Sequence, residues 1–285
     1  MNMKAGEFLA TVVPQLPGDW PELDVQMLLA HVLGQPRSWI LAHLEKALTA
    51  DQLDSANRAV EELRDGIPLP YILGHWEFFG LDFAITKDVL IPRPETEMLV
   101  EKAIVWCQAS PERRTIADVG TGSGVIAVTI AMHVPEARIL ATDISFEALK
   151  VAKCNARKFH IHHRLDLLQC NLLPYHVDPL PTERHFDLIC ANLPYIPTKI
   201  LHGLPIYGRE PNLALDGGAD GLDLYRRLLE IAPDWLAPGG MMLLETEASL
   251  GPQIFSLAYD AFSDVTLKLH QDLAGRDRLL EIRLP

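Results

Sequence analysis

The sequence is poor in the features that mark membrane and secreted proteins. Its 285 residues include only four cysteines, which are widely spaced and form no Cys-x-x-Cys pair. This spacing favours neither a zinc site nor a disulfide framework, and we expect scattered thiols in a reducing cytoplasm. No apolar run approaches the roughly 18 residues that cross a bilayer. The N-terminus has no apolar stretch before a small-residue cleavage site, so we expect neither membrane association nor a secretory signal.

Positive charge is also scarce. The chain carries 25 Lys and Arg against 38 Asp and Glu, which gives a net charge of -13. A chain this acidic is not suited to wrapping bare nucleic acid, since that binding depends on neutralising phosphates. It remains compatible with a basic protein partner or a local basic patch. We therefore expect no direct contact with nucleic acid. We also expect a cytoplasmic protein that is a monomer.

The pattern along the chain predicts two domains and a connection. Residues 1–66 are helical throughout, and Thr49 to Gln52 form a capping box before one of the helices. This part carries no catalytic constellation, so it is either a bundle that packs on itself or a docking module. Residues 67–92 contain short apolar and aromatic pieces between prolines and glycines (Tyr71–Leu73, Trp76–Phe79 and Phe83–Ile85), which predict one or two β-hairpins. Residues 93–285 form the larger domain, which begins with a helix at Pro94.

Strand and helix patterns alternate in the larger domain and predict an α/β fold. Such alternation implies a mostly parallel sheet with helices on both faces, and ligands bind at the carboxyl ends of its strands. The last two strands are joined by a short loop and are expected to be an antiparallel pair at the sheet edge. The predicted strands are Thr115–Val119, Arg138–Thr142, Leu165–Gln169, Phe186–Ala191, Met241–Glu245, Val265–Leu269 and Leu279–Arg283. The main predicted helices are Val125–His133, Ser145–Lys158, Leu222–Leu236 and Leu250–Phe262.

A glycine-rich turn follows the first of these strands. Asp118, Gly120, Thr121, Gly122 and Gly124 give the form Asp-x-Gly-x-Gly-x-Gly, in which glycines let a ligand approach the backbone. The spacing differs from the dinucleotide fingerprint and is associated with S-adenosylmethionine. Taken alone, such a turn is often only structural.

The next strand ends in an acid, which supports the cofactor interpretation. Asp143 can accept both ribose hydroxyls, as the acid about 20 residues after a dinucleotide fingerprint does. Its alternative role is the N-cap of the next helix. Ile144 would pack against the adenine face. After the third strand, Asn171 would lie beside the adenine amine and accept one hydrogen bond, although a loop-forming Asn explains it nearly as well.

The fourth strand delivers the tetrad Asn192-Leu193-Pro194-Tyr195. The Asn192 side-chain carbonyl and the Leu193 backbone carbonyl can accept both hydrogens of a planar NH₂ group. The nitrogen is then aimed at a methyl donor, which is catalysis by orientation and electrostatics. Pro194 favours an extended conformation at Leu193, and the Tyr195 ring can cover the substrate plane and approach a sulfonium.

Over nearly its whole length the chain resembles the release factor glutamine methyltransferases (the PrmC/HemK family). The resemblance rests on the glycine-rich turn, on the tetrad, and on four further segments. These are Tyr71 to Glu97, Glu210 to Leu215, Gly217 to Leu222, and Asp272 to Arg278.

The resemblance implies a Rossmann-like class I methyltransferase domain with a seven-stranded sheet, an N-terminal helical docking domain and a hairpin linker. It implies methyl transfer from S-adenosyl-L-methionine, with S-adenosyl-L-homocysteine as product, to N5 of the glutamine in the Gly-Gly-Gln motif of class I release factors. The cofactor would contact the residues from Asp118 to Gly124 named above, Asp143, Ile144, Asn171 and Asn192. The tetrad would perform catalysis, and it would bind the substrate together with Arg93 and Glu95.

Three positions depart from the family pattern, and other functions compete. Leu193 stands in place of a usual Pro, Asn171 in place of an acid, and Glu247 in place of a Gly.

The tetrad Asn-Leu-Pro-Tyr is also typical of rRNA adenine dimethyltransferases, so an adenine N6 amine in RNA or DNA is an alternative acceptor. A glutamine of a ribosomal protein is another. A third alternative is a decayed enzyme that only binds release factor and transfers no methyl group.

Histidines cluster at His160, His162 and His163 without a carboxylate or thiol at ligand spacing. Such a cluster indicates a solvated loop rather than a metal site, and we expect no metal.

Overall fold

The computed structural model describes residues 3–174 and 185–285. The chain separates into two compact units, Met1–His75 and Trp76–Pro285. The limits predicted from the sequence (1–66, 67–92 and 93–285) stay a prediction. No helix in the described ranges combines the length and the apolar character that a bilayer crossing needs.

The first unit is helical, as predicted. The capping box is confirmed, because Thr49 accepts from the Gln52 amide at 3.2 Å and Gln52 Oε1 accepts from the Thr49 amide at 3.0 Å. The second helix packs against the other four, with apolar residues such as Phe8 and Leu28 buried. The helices are α1 (Ala5–Val12), α2 (Pro21–Leu33), α3 (Arg37–Ala42), α4 (Ala50–Arg64) and α5 (Leu69–Leu73).

One predicted strand piece is wrong. Residues 71–73 lie in α5 rather than in a hairpin. Pro70 occupies the first turn of that helix, where its missing N–H costs nothing, and Gly74 ends the helix with a φ of 73°. A single hairpin follows, made of β1 (His75–Phe78) and β2 (Leu81–Ala84).

The second unit contains a seven-stranded sheet in the order β5-β4-β3-β6-β7-β9-β8. Strands β3 to β7 are parallel, while β9 is antiparallel to both of its neighbours, so the predicted antiparallel pair at the edge is confirmed. The strands are β3 (Thr115–Val119), β4 (Arg138–Asp143), β5 (Leu165–Gln169), β6 (Phe186–Ala191), β7 (Leu236–Glu245), β8 (Thr266–Gln271) and β9 (Asp277–Arg283). The helices are α6 (Pro94–Gln108), α7 (Val125–His133), α8 (Phe146–Lys158), α9 (Thr198–Leu201), α10 (Asp223–Ile231) and α11 (Gly251–Ala261).

The largest boundary error lies between α10 and β7. The helix predicted to reach Leu236 ends at Ile231, and the strand predicted to begin at Met241 begins at Leu236. Leu236 already pairs with Phe186, and the register shifts before Leu188 pairs with Met241. The intervening Pro-Gly-Gly sequence has the composition of a turn, and this irregular stretch of strand tolerates it.

A buried asparagine ties the hairpin to the glycine-rich turn. The Asn155 side chain in α8 accepts from the Ala84 amide at 2.8 Å and donates to the Ala84 carbonyl at 3.0 Å and the Ser123 carbonyl at 2.8 Å. Asn155 is fully buried, so its loss removes the side-chain partner of three backbone groups.

We expect Asn155→Ala to lower the free energy of unfolding by about 3 kcal/mol or more, because an unsatisfied buried polar group costs roughly 1–3 kcal/mol. Urea denaturation measures the change. The control is Lys153→Ala, at an exposed position of the same helix, which should change stability by less than about 0.5 kcal/mol. If the two substitutions lowered the free energy of unfolding equally, the hydrogen bonds of Asn155 would not be holding the hairpin to the glycine-rich turn.

Candidate active site

The carboxyl ends of β3, β4 and β6 border one cleft of about 820 Å³ in the second unit. The site residues predicted from the sequence divide into two groups around it. Those that line the cleft are Gly120, Thr121, Gly122, Asp143, Ile144, Asn171, Asn192, Leu193, Pro194 and Arg93. Asp118, Gly124, Tyr195 and Glu95 do not line it.

The turn after β3 is shaped by its glycines and by the acid beneath it. Gly122 has a φ of 55°, and a Cβ at this position would have no atom within 4 Å, so its backbone faces open cleft. At Gly124, by contrast, a Cβ would lie 3.2 Å from Ala152 Cβ, so this glycine allows α7 to approach α8. Gly120 packs against the Leu193 side chain, because a Cβ there would lie 3.4 Å from Leu193 Cδ2.

Asp118 holds the turn from below. Its Oδ2 accepts from the Thr121 hydroxyl at 2.6 Å and from the Ala127 amide at 3.1 Å. Oδ1 is buried and has no partner among the described residues. Burial raises the pKa of this carboxyl to about 7, against the effect of the two hydrogen bonds. Asp118 therefore positions the turn rather than facing the cleft.

Asp143 faces the cleft and also shapes it. One oxygen accepts from the Gly122 amide at 2.9 Å and the other from the Ser145 amide at 2.8 Å. The N-cap of α8 is Ser145, whose hydroxyl accepts from the Ala148 amide, so Asp143 does not have that alternative role. Each carboxylate oxygen has further acceptor capacity, which leaves room for two ligand hydroxyls.

Two neighbours complete this half of the cleft. Ile144 is 48% exposed on the cleft wall, which is the position required to cover a flat apolar ring. Asn171 is exposed beside Leu172, whose φ of 66° is left-handed. The Thr142 hydroxyl holds that strained residue by donating to its carbonyl at 2.7 Å. An adenosine group fits this set of hydroxyl acceptors, open glycine backbone and exposed apolar side chain.

Three residues of the tetrad, Asn192, Leu193 and Pro194, line the same cleft. Asn192 donates from Nδ2 to the Thr96 hydroxyl at 3.1 Å, and its Oδ1 has no hydrogen-bond partner in the described part of the chain. The Leu193 side chain is buried in the core of the sheet. The Tyr225 hydroxyl donates to the Glu245 carbonyl at 2.7 Å and lies 3.5 Å from the Leu193 carbonyl. Since its single hydrogen is used at Glu245, the Leu193 carbonyl remains free to accept.

Tyr195 lies behind the lining, in a charged setting. The pKa of its hydroxyl is raised to about 12, mainly by burial and also by Glu245, while Arg93 and Arg278 act in the opposite direction. Glu95, predicted to bind substrate, lies 3.8 Å from Arg278 in an ion pair.

A buried carboxylate fixes Arg93 at the cleft wall. Glu210 accepts from Arg93 Nη2 at 2.6 Å and from the Ile91 amide at 3.0 Å. This pair joins the segment of Pro92 and Arg93 to the segment of Pro211 and Asn212, and both segments line the cleft. The sequence offered Glu210 as part of a motif but gave no sign of this contact.

Gly217 and Gly221 pack against the backbone of the tetrad. The sequence alone indicated no role for them in the site. A Cβ at Gly217 would lie 2.7 Å from Tyr195 Cα and 2.8 Å from the Pro194 carbonyl oxygen. At Gly221, whose φ is 85°, a Cβ would overlap the Tyr195 carbonyl oxygen. These positions require glycine because backbone packs against backbone.

The histidine cluster shows no ligand arrangement. The rings of His162 and His163 meet edge to face with 5.8 Å between centroids. In residues 3–174 and 185–285 there is no group of three or more His, Cys, Asp and Glu side chains that could hold a metal ion.

Comparison with known proteins places the chain in a family. Residues 15–74 match the PrmC N-terminal domain, and residues 99–201 match the family of ribosomal protein L11 methyltransferase (PrmA). The fold is similar to the hMettl16 catalytic domain solved in complex with an RNA hairpin, with a TM-score of 0.53 at 15% identity over 82% of this chain and 81% of that one. This likeness shows the fold alone.

Two relatives match over most of their length. The chain is 44% identical to the release factor glutamine methyltransferase of Moorella thermoacetica over 90% of its own length and 89% of the relative's. It is 39% identical to the enzyme of the same name from Coxiella burnetii over 92% of each. The chain belongs to the release factor glutamine methyltransferase (PrmC) family, whose members are S-adenosylmethionine-dependent methyltransferases.

Proposed function

We propose that this protein transfers the methyl group of S-adenosyl-L-methionine to N5 of the glutamine in the Gly-Gly-Gln motif of class I release factors. The observation that carries the proposal is a pair of acceptors on residues that line the same cleft as Asp143 and Gly122. Asn192 Oδ1 has no partner among the described residues, and the Leu193 carbonyl has capacity to accept beside its 3.5 Å approach to the Tyr225 hydroxyl. Family membership supports the glutamine as the acceptor.

The acceptor nitrogen of an amide is a poor nucleophile, because its lone pair is delocalised. When bound, the cofactor supplies an electrophilic methyl group on a sulfonium. The chain's own contribution is orientation: Asn192 Oδ1 and the Leu193 carbonyl accept the two N–H hydrogens and hold the nitrogen in one direction. Such fixed acceptors act without reorganisation during the reaction.

The remaining predicted residues receive roles in this proposal. Arg93, held by Glu210, forms part of the wall that the protein substrate meets. Tyr195 does not line the cleft, so its proposed role is to support the tetrad from behind. Glu95 lies outside the lining and would contact the release factor only beyond the cleft. The helical first unit, which includes the match to the PrmC N-terminal domain, is proposed to help hold the release factor.

If Asp143 binds the ribose of the cofactor, its replacement should cause a large loss of affinity for the cofactor. A hydrogen bond to a charged group contributes about 1.5–3 kcal/mol, so losing two should weaken binding about 100-fold or more in Asp143→Ala. Calorimetric titration with S-adenosyl-L-homocysteine measures this. Asp166→Ala, at an exposed position of the neighbouring strand β5, is the matched control and should bind normally. Unchanged affinity in Asp143→Ala would remove the ribose role.

The activity is tested with labelled S-adenosyl-L-methionine and three separate acceptors: a purified class I release factor, ribosomal protein L11 and rRNA. Label is expected on the release factor, at the glutamine found by mass mapping. A release factor with that glutamine changed to glutamate is the control and should stay unlabelled. Label on RNA and none on protein would overturn the proposal.

The match of residues 99–201 to the L11 methyltransferase family favours a ribosomal protein as the second candidate acceptor. Label on L11 alone would support that candidate. The proposed location is the cytoplasm, which is supported by four unpaired cysteines.

A further inference from the structure

Three polar side chains form a row that leads away from the cleft behind the tetrad. Asn192 Nδ2 donates to the Thr96 hydroxyl at 3.1 Å, and that hydroxyl lies close enough to the buried carboxyl group of Glu245 to lower its pKa. Thr96 and Glu245 are 2% and 3% exposed. Thr96 and Asn192 line the cleft, whereas Glu245 does not. Nothing in the catalytic scheme above uses Thr96 or Glu245.

The chemistry of the row gives it a direction. An ionised carboxylate only accepts, so the single hydrogen of the Thr96 hydroxyl points to Glu245. The Thr96 oxygen can then only accept, and Asn192 has to present its NH₂ end to it. The Asn192 carbonyl oxygen is consequently turned towards the other side, where it has no partner among the described residues.

We propose that Thr96 and Glu245 are positioning residues that fix which end of the Asn192 amide faces the acceptor nitrogen. This inference rests on the proposed function. The two ends of an amide are almost equal in shape, so Asn192 without the row can rotate by half a turn. It would then present N–H donors to a substrate NH₂ group that is itself a donor, and the hold on the acceptor would be lost.

The direction of the row depends on the charge of Glu245. Burial raises the pKa of Glu245 to about 7; the Thr96 hydrogen bond lowers it, nearby Glu95 raises it, and Arg278 and Arg93 lower it. The Tyr195 and Tyr225 hydroxyls also face it, and burial keeps both in their neutral form at this pH. One oxygen, Oε2, has no hydrogen-bond partner among the described residues.

A protonated Glu245 can donate to Thr96. The Thr96 hydrogen is then free to meet the carbonyl end of Asn192, and both orientations of the amide become possible. Turnover of the wild-type enzyme should therefore fall as the pH drops through about 7.

The kinetic test uses release factor methylation by four variants. Thr96→Val should lower kcat about tenfold or more with little change in the KM of the cofactor, because it removes the hydroxyl and leaves the shape. Thr96→Ser restores the hydroxyl and should recover most of kcat. Glu245→Gln should give a lower kcat that no longer varies with pH near 7. Thr129→Val is the matched control, since it removes another buried helical hydroxyl, one that has no partner among the described residues, and should leave kcat unchanged.

A second measurement does not depend on activity. In protein labelled with ¹⁵N-asparagine, the side-chain NH₂ signals of Asn192 are those absent from Asn192→Ala. They should shift with pH through about 7 in the wild type and stay constant in Glu245→Gln.

A wild-type kcat in both Thr96→Val and Glu245→Gln would overturn the inference. So would Asn192 side-chain signals that do not shift with pH in the wild-type protein. If the wild type methylates no release factor, the proposed function fails, and the Asn192 signals still decide whether the row exists.

Discussion

Asn192→Ala is expected to lower kcat at least about 100-fold while cofactor affinity changes little. The substitution removes the side-chain acceptor that holds the substrate amide, and loss of one preorganised polar contact in an active site costs about 100- to 1,000-fold. Single-turnover methylation of a release factor and calorimetric titration with S-adenosyl-L-homocysteine measure the two quantities separately. Unchanged turnover would remove the proposed mechanism.

Two further variants sharpen this test. Gln253→Ala, at an exposed position of α11 in the second unit, is the control for the loss of a side-chain amide and should be silent. Leu193→Pro keeps the backbone carbonyl, so turnover should persist, although the buried leucine side chain contributes to the core and its loss should lower stability. Complete inactivation of Leu193→Pro would show that the carbonyl is not the whole contribution of Leu193.

Gly217→Ala is expected to lower turnover by a comparable factor, although Gly217 itself supplies no group to the proposed chemistry. The new Cβ would lie 2.7 Å from Tyr195 Cα and 2.8 Å from the carbonyl oxygens of Pro194 and Gly221. Backbone atoms cannot rotate away, so the tetrad has to move, and a displacement near 1 Å can cost about 100-fold in rate. Steady-state kinetics measures the loss.

Gly203→Ala provides the matched control for this prediction. Its Cβ would meet only the Ile200 carbonyl, at the ordinary contact distance of 3.5 Å. Calorimetric titration with S-adenosyl-L-homocysteine shows whether Gly217→Ala still binds the cofactor, and therefore whether that part of the cleft is still folded. Wild-type turnover in Gly217→Ala would mean that the position of Tyr195 and Pro194 does not matter for catalysis.

The sequence was sufficient for the parts of the site that depend on local pattern. Strand ends in a parallel sheet meet at one edge, so residues that follow separate strands, such as Asp143 and Asn192, could be placed together in advance. The structure puts both on one cleft. The short loop before β9 likewise predicted the antiparallel pair correctly.

Long-range packing could not be predicted in the same way. Nothing near Gly217 in sequence indicates that Tyr195 passes within contact distance. The early start of β7 was missed because its pairing with Phe186 depends on a register shift. Thr96 did leave a signal: it shares the buried face of α6 with Leu99, Val100 and Ala103, and a polar residue on such a face needs a partner. Only the fold shows that the partners are Asn192 and Glu245.

The cleft also defines a template for inhibition. Asp143 and Asn192 border a single cavity of about 820 Å³ rather than two separate ones. A small molecule that joins adenosine to a primary carboxamide through a short linker would reach both residues at once. Joining two ligands makes the second contact intramolecular, so such a compound should bind more tightly than either half does alone. Its selectivity would come from the carboxamide end, which the proposed mechanism places between Asn192 Oδ1 and the Leu193 carbonyl.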